Sequence, residues 1–426
     1  MKDSPGSLGS LRQRNRLRII DVLRRAGSAS RVDLVRDTGL SRTTVSKLVA
    51  ELQAEGLVVE RSTAPANGNG DATATAHAVG RPPVALTLNP AAGAAVGIDF
   101  GHDLVRVAVA DLSGAVVAEA RRDIDVDSQA EQAIDLAAAM VDEQLAGLKI
   151  DLGHTVGIGV AVSAPILRDT GTPGDRTLST SILPGWGPFA PGGELERRLG
   201  RPVLMGNDAN LGALAEVRHG AGRGARNVVY VMLSGGIGAG LILDGSLFSG
   251  HSGLTGELGH VVADPDGRIC RCGNRGCLET VASAAAVLEA LRPLHGPDVT
   301  LNDAIALARA GDAGARRLFA DAGRTVGRAV GAICNIVNPE LVIVGGEMSV
   351  VGDVLVDAVA DGIARSTIPA IGRDADVVAG SLGERAEVLG AIGLVLAETG
   401  VDTIAAMAPS GSPGNVRWNV SGWPTS

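Results

Sequence analysis

Aromatic residues are nearly missing from this chain. Phe, Trp and Tyr together make 2% of 426 residues, while alanine and glycine are used heavily, a bias that says more about genome composition than about function. No apolar run is long enough to span a bilayer. The N-terminus has no continuous apolar core behind its charges, so no secretory signal is expected and the chain is expected to be cytoplasmic. Only four cysteines occur, and three fall within eight residues. In a cytosolic chain that clustering points to a metal before disulfides. Excess positive charge is lacking too, at a net -9. That sum hides a division: residues 1–83 hold 13 Lys and Arg against 8 Asp and Glu, a net +5, which leaves -14 to the remainder. A basic head on an acidic body is expected where only the head meets phosphate. Apolar residues at 45% and charged ones at 20% fit a folded protein, and the length asks for two or three domains.

In the head, residues 11–26 place Ile19, Val22, Leu23 and Ala26 on one helical stripe among arginines. Gly27 ends that helix, Ser30 caps a short second one carrying Val32 and Val35, and Gly39 closes it. Ser41 caps a third helix in which Val45, Leu48, Val49 and Leu52 recur at the spacing of a buried face. Arg42, Thr43, Ser46 and Lys47 stand opposite, and short hydroxyl and long basic side chains suit base edges and phosphates in a major groove. This pattern predicts a helix-turn-helix, followed by the segments LVVER and VALTL as the strands of a wing. The wing tip, residues 62–80, has no periodicity and is expected to be disordered. It leads into Gly80-Arg81-Pro82-Pro83, a stiff basic element whose Arg81 is suited to lie along a groove. The competing reading is a small helical domain that binds protein.

From about residue 93 the texture turns to β-rich segments and longer helices. AVGIDFG with LVRVAVADLSGAVVAEA reads strand, glycine turn, strand, Ser-Gly turn, strand. VVYVMLSGGIGAG with LILDGSLF repeats that form. Two lobes on one plan, each offering a glycine turn, suggest a nucleotide clamp, because backbone N–H groups in such turns cradle phosphates. Asn207, Asp208 and Asn210 stand at a strand end ahead of a helix. The carboxylate there is placed to take a proton from a sugar hydroxyl and the amides to read its neighbours; helix capping by Asp208 or Asn210 is the alternative.

The strongest chemical signal is ELGHVVADPDGRICRCGNRGCLE, residues 257–279. His260, Cys270, Cys272 and Cys277 form a full tetrahedral set for zinc with no open position, which argues for a structural ion. Glu257 and Glu279 bracket the loop and, once pinned, are placed to meet sugar hydroxyls. Cys334, in an apolar helix, reads as a core residue. NIVNPELVIVGGEMS reads as a buried strand and glycine pair fit for an adenosine-side wall. The tail from residue 401 has no assigned role.

Head and body together resemble the ROK family (repressor, open reading frame, kinase) from about residue 11 to 400. The resemblance is carried by Glu257-Leu258-Gly259-His260 with the cysteine run ending at Glu279, by Asn207-Asp208-Ala209-Asn210, and by Leu183-Pro184-Gly185-Trp186. It implies an α/β fold with a winged helix-turn-helix over residues 1–90, followed by an actin-like (ribonuclease H-like) two-lobed sugar-kinase body with a structural zinc loop. The lobes are expected at 93–205 and 206–400, the C-terminal helix returning to the first, with a disordered tail at 401–426. It further implies a homodimer or homotetramer, with Asn207, Asp208, Glu257, His260 and Glu279 around a sugar, His260 serving both zinc and sugar.

The departures are as informative. Where kinase members carry Asp-x-Gly-Gly-Thr, this chain has Asp99, Phe100, Gly101, His102 and Asp103; where they carry Gly-Thr-Gly, it has Ser234, Gly235 and Gly236. Asp103 would set a negative charge toward ATP phosphates. The expectation is therefore a sugar-responsive regulator of carbohydrate genes, a repressor bound to an operator on double-stranded DNA, with no catalytic residue in use although Asp208 occupies the family's base position. ATP is not expected as a cofactor. The alternative is an ATP-dependent, glucokinase-like sugar kinase.

Overall fold

The computed structural model describes residues 8–61, 85–168, 176–178, 186 and 191–398. The expectations for the wing tip, for Arg81, for Leu183 to Gly185 and for the tail lie outside them.

Three helices open the chain: α1 (Leu8–Ala26), α2 (Arg31–Thr38) and α3 (Arg42–Ala54). Their ends follow local chemistry. The Ser30 hydroxyl accepts from the Asp33 amide at 3.2 Å while an Asp33 oxygen accepts from the Ser30 amide at 3.0 Å, a reciprocal capping box. Gly39 closes α2 in the left-handed conformation, and Ser41 Oγ caps α3 by accepting from the Thr44 amide at 3.1 Å. Ile19, Val22, Leu23, Val45, Leu48, Val49 and Leu52 are buried together as their spacing predicts. One apolar expectation is corrected: Ala26 is exposed at the end of α1. In α2 Leu34 is the buried residue, while Val32 is 69% exposed. Strands β1 (Val58–Arg61) and β2 (Ala85–Leu88) pair antiparallel, with Val58 opposite Leu88, and form the wing.

The body repeats one sheet twice. Strands β3 (Ala94–Phe100), β4 (Leu104–Asp111) and β5 (Val116–Asp123) form an antiparallel meander. Helix α4 (Ala130–Leu148) then leads to β6 (Thr155–Val162), which runs parallel to β3. A small hairpin, β7 (Ile166–Arg168) and β8 (Arg176–Leu178), precedes α5 (Pro191–Leu199) and β9 (Val203–Asn207), which pairs parallel to β6. The order across the sheet is β5-β4-β3-β6-β9.

Helix α6 (Asp208–His219) crosses to the second sheet of β10 (Val228–Leu233), β11 (Ile237–Leu243), β12 (Ser246–Leu247), β13 (Leu341–Gly345) and β14 (Asp376–Ala379). Its order, β12-β11-β10-β13-β14, is the same plan. Between β12 and β13 lie the cysteine loop and helices α7 (Glu279–Ala282), α8 (Ala284–His295), α9 (Leu301–Arg309) and α10 (Ala313–Val337); α11 (Asp353–Ala364) and α12 (Pro369–Asp374) precede β14. Cys334 is fully buried in α10.

The last described helix, α13 (Ala386–Glu398), is apolar almost all round, as a helix enclosed by protein should be. Val388, Ile392, Val395 and Leu396 share a core with Ala95 and Ala108 of the first sheet and with Ile19 and Leu23 of the head. Arg24 of α1 donates to the Leu396 carbonyl at 2.8 Å and to the Leu112 carbonyl at 3.4 Å. Arg218, at the far end of α6, donates to the Gly393 carbonyl at 2.9 Å. Two carbonyls in the C-terminal half of α13 thus accept from guanidiniums, one from the head and one from the body.

Candidate sugar and metal site

Strand β9 delivers Asn207 and Asp208 to the cleft. Asn207, not Asp208 or Asn210, caps α6: its Oδ1 accepts from the Asn210 amide at 3.1 Å. Its Nδ2 donates to Asp208 Oδ1 at 2.9 Å and lies 3.3 Å from the Ala164 carbonyl. Asp208, relieved of capping, is buried and accepts from the Ala209 amide at 2.7 Å. Burial pushes its carboxyl above the ordinary aspartate range.

Asp99 ends β3 nearby, and burial together with the Asp208 charge pushes it to about 7, against the pull of Arg106. Glu257 is raised to about 7 by burial, then by Asp208 and Glu279. Carboxyls that titrate near neutrality donate as well as accept, which suits ligand hydroxyls that do both.

His260 sits in a single 3-10 turn, Leu258–His260. Its Nδ1 lies 3.6 Å from Cys270 Sγ, while its Nε2 lies 3.9 Å from a Glu257 oxygen. The two ring nitrogens therefore face different neighbours. Cys272 and Cys277 Sγ are 3.6 Å apart, and the four donor atoms all lie within 4.8 Å of one another. One imidazole and three thiols at that mutual spacing fit a tetrahedral ion. The loop wraps this closely because Gly276 adopts φ of 69°, where a Cβ would stand 1.5 Å from the Asp264 carbonyl oxygen. Directly behind Cys277 and Leu278, Glu279 starts α7 and points its carboxylate back to the cleft, so the loop that gathers the thiols also fixes that residue.

Asn207, Asp208, Glu257, His260 and Glu279 line one cavity together with His102, Ser163 and Arg271. The spacing of the motifs had not pointed to Arg271; its place between Cys270 and Cys272, where a side chain is held stiffly, was the available signal. Trp186 is fully buried, its Nε1 donating to the Val126 carbonyl at 3.0 Å and its ring edge-on to Phe100 at 5.3 Å between centroids. It supports the first lobe from behind.

The two glycine turns face each other across the cleft. The His102 ring is packed on the second turn: a Cβ at Gly235 would lie 2.7 Å from His102 Cδ2, and one at Gly236 3.4 Å from Nε2. Near the other end, Glu347 follows the Gly345-Gly346 pair, and burial with the charges of Asp103 and Glu384 raises its carboxyl. On the head, Arg42, Thr43, Ser46 and Lys47 are all exposed on the outer side of α3.

The ROK family profile matches residues 95–398, and that of the MarR family matches residues 12–66. The chain belongs to the ROK family. The xylose repressor of Bacillus subtilis (strain 168) is 30% identical over 367 residues, covering 86% of this chain and 91% of its own. A crystal structure of a ROK family transcriptional regulator, a homologue of the Escherichia coli MLC protein, superposes with a TM-score of 0.68 at 26% identity, over 93% of this chain and 98% of that one. The ROK family glucokinase of Streptomyces griseus, solved with glucose and AMPPNP, superposes with a TM-score of 0.62 at 27% identity. It covers 71% of this chain and 99% of its own, so the resemblance to the regulator takes in the head as well as the body. No described helix is long and apolar enough to cross a membrane.

Proposed function

We propose that this ROK-family chain is a sugar-responsive transcriptional repressor of carbohydrate genes, acting as a homodimer or homotetramer on double-stranded operator DNA. The observation that carries this is the presence, in one chain, of a capped winged helix with an exposed Arg42-Thr43-Ser46-Lys47 face and a polar pocket around Asp208. Repressor relatives extend over both parts.

In this reading α3 enters the major groove and Arg81 approaches the backbone beside it. Asn207, Asp208, Glu257, His260 and Glu279 bind the sugar. Cys270, Cys272, Cys277 and the Nδ1 of His260 hold zinc, which when bound cross-links the loop and fixes the aim of Glu257 and Glu279; Nε2 is left for the ligand. Half-sites on paired heads lie about one helical turn (roughly 34 Å) apart, so a modest rotation of the lobes breaks the register.

Phosphate transfer is not the role we assign. His102 lies over the second glycine turn, where backbone amides would take a triphosphate, and Asp103 and Glu347 set negative charge at the same mouth. The deciding experiment measures binding to the DNA upstream of the protein's own gene, at fixed salt, across a panel that includes D-xylose and D-glucose. Specific binding that one sugar weakens or strengthens is the expected result. Absence of specific binding under every condition, with ATP-dependent phosphorylation of a sugar that Asp208→Asn abolishes, would replace the repressor by a kinase.

A further inference from the structure

One set of charges in the pocket is left unused by these roles, and it runs from one lobe to the other. Arg271, in the cysteine loop of the second lobe, donates from Nε to Glu279 Oε1 at 2.9 Å. Its Nη1 lies 3.7 Å from Asp127 Oδ2. Asp127 belongs to the first lobe, in the link between β5 and α4, and its two carboxylate oxygens stand 2.9 and 3.0 Å from His102 Nδ1. Asp127 raises the affinity of that imidazole for a proton, against its burial. His102 in turn rests on the Gly235-Gly236 turn of the second lobe. The circuit therefore crosses the cleft twice, once as an ion pair and once as a packed ring.

The cavity that His102, Arg271 and Glu279 line has a volume of only about 40 Å³. That holds a few waters, whereas pockets for organic ligands run to roughly 300 Å³ and above. A monosaccharide needs more room than that, and the circuit is one of the contacts that widening this pocket would break. Glu279 is the member that a sugar would claim, and one of its oxygens is already engaged by the guanidinium. The planar, forked guanidinium of Arg271 reaches both carboxylates from fixed directions, a geometry that an ammonium, as a compact point charge, reproduces only in part.

We propose that Arg271 is a positioning residue that latches the two lobes to each other. It draws Glu279 and Asp127 together. An arriving sugar exchanges its hydroxyls for the guanidinium on Glu279, and the first lobe, carrying His102 and Asp127, is released. The release half rests on the sugar reading of the pocket; the latch itself does not.

The test therefore begins without ligand. Hydrogen exchange of the full-length, zinc-loaded protein is followed over residues 124–129, where the Ile124 and Val126 amides donate to the Asp103 and His102 carbonyls. Arg271→Ala is expected to speed exchange there by about twofold to fivefold, in line with a partly exposed ion pair. Arg271→Lys recovers part of the protection, Asp127→Asn reproduces the loss, and zinc content stays at one per chain in all three. Unchanged exchange over residues 124–129 in Arg271→Ala overturns the latch.

A second arm titrates D-xylose and D-glucose by calorimetry. Binding about twofold to fivefold tighter in Arg271→Ala supports release, because nothing has to be displaced. Binding weakened by that substitution makes Arg271 a sugar ligand and overturns release. If neither sugar binds either protein, the sugar reading and the release half fall together, while the exchange result still decides the latch.

Discussion

The two sheets of the body share strand order and direction, yet they are equipped very differently at the cleft. The first presents a short turn with His102 and Asp103, the buried Asp99, and Trp186 behind. The second carries a long insertion between its third and fourth strands, holding the thiols, His260, Glu257 and Glu279. The insertion thus adds thiols, an imidazole and two carboxylates to a cleft that the first lobe lines with His102, Ser163 and Asn207. Asp208 stands where one sheet hands the chain to the other.

The largest expected effect follows from removing what makes the second lobe different. Cys272→Ser leaves three donors, so metal content measured after purification should fall from one zinc per chain to nearly none, and the response of DNA binding to sugar should vanish. Zinc retained at full stoichiometry would mean that the four donors named here are not the ligand set.

Next comes the hand-over residue. Asp208→Asn keeps the shape and removes a charged acceptor worth about 1.5–3 kcal/mol. Sugar affinity measured by calorimetry should drop by roughly tenfold to a hundredfold, with sugar-free DNA affinity unchanged. Equal loss of both would mean the substitution damages the fold rather than the pocket.

Lys47→Ala and Arg42→Ala act on the head alone. Each should weaken operator binding by about 1–3 kcal/mol if it meets a base, or lower the salt slope by about one if it meets a phosphate, and leave sugar affinity as it was. Full operator affinity in both variants would remove α3 as the reading helix.

The smallest effect is a pH dependence on the first-lobe side. Asp99, raised from 3.8 to about 7, binds protons more tightly in the folded protein than in the unfolded chain. Its contribution is complete below about 4, declines as pH rises toward 7, and is lost above it. Asp99→Asn should therefore raise Tm more at pH 8 than at pH 4.5. A difference that is the same at both values would take Asp99 out of the titration.

What sequence reading captured was local. Ser30, Ser41 and Gly39 are caps and stops whose partners lie within four residues, and the two segments read as wing strands do pair. The echo of the two meanders was legible because each is built from neighbours along the chain. The capping of α6 was missed by one residue, because Asn207 and Asp208 are both good caps and only burial of Asp208 separates them. Arg271 with Asp127, and Arg24 with Leu396, were beyond reach. Each joins segments that only the tertiary fold brings together, and the signal for them is a single arginine among many.

The seat of the head on α13 constrains descent in an unusual way. Arg24 and Arg218 grip backbone carbonyls at 112, 393 and 396, and every residue type has a carbonyl. Side chains at those three positions are free to drift as far as packing allows. What selection must preserve is count: one residue inserted or deleted in α13 ahead of these carbonyls, or between β4 and Leu112, swings the acceptors away from the guanidiniums. Among relatives that keep these two arginines, segment lengths at these two places should vary less than the residues that fill them.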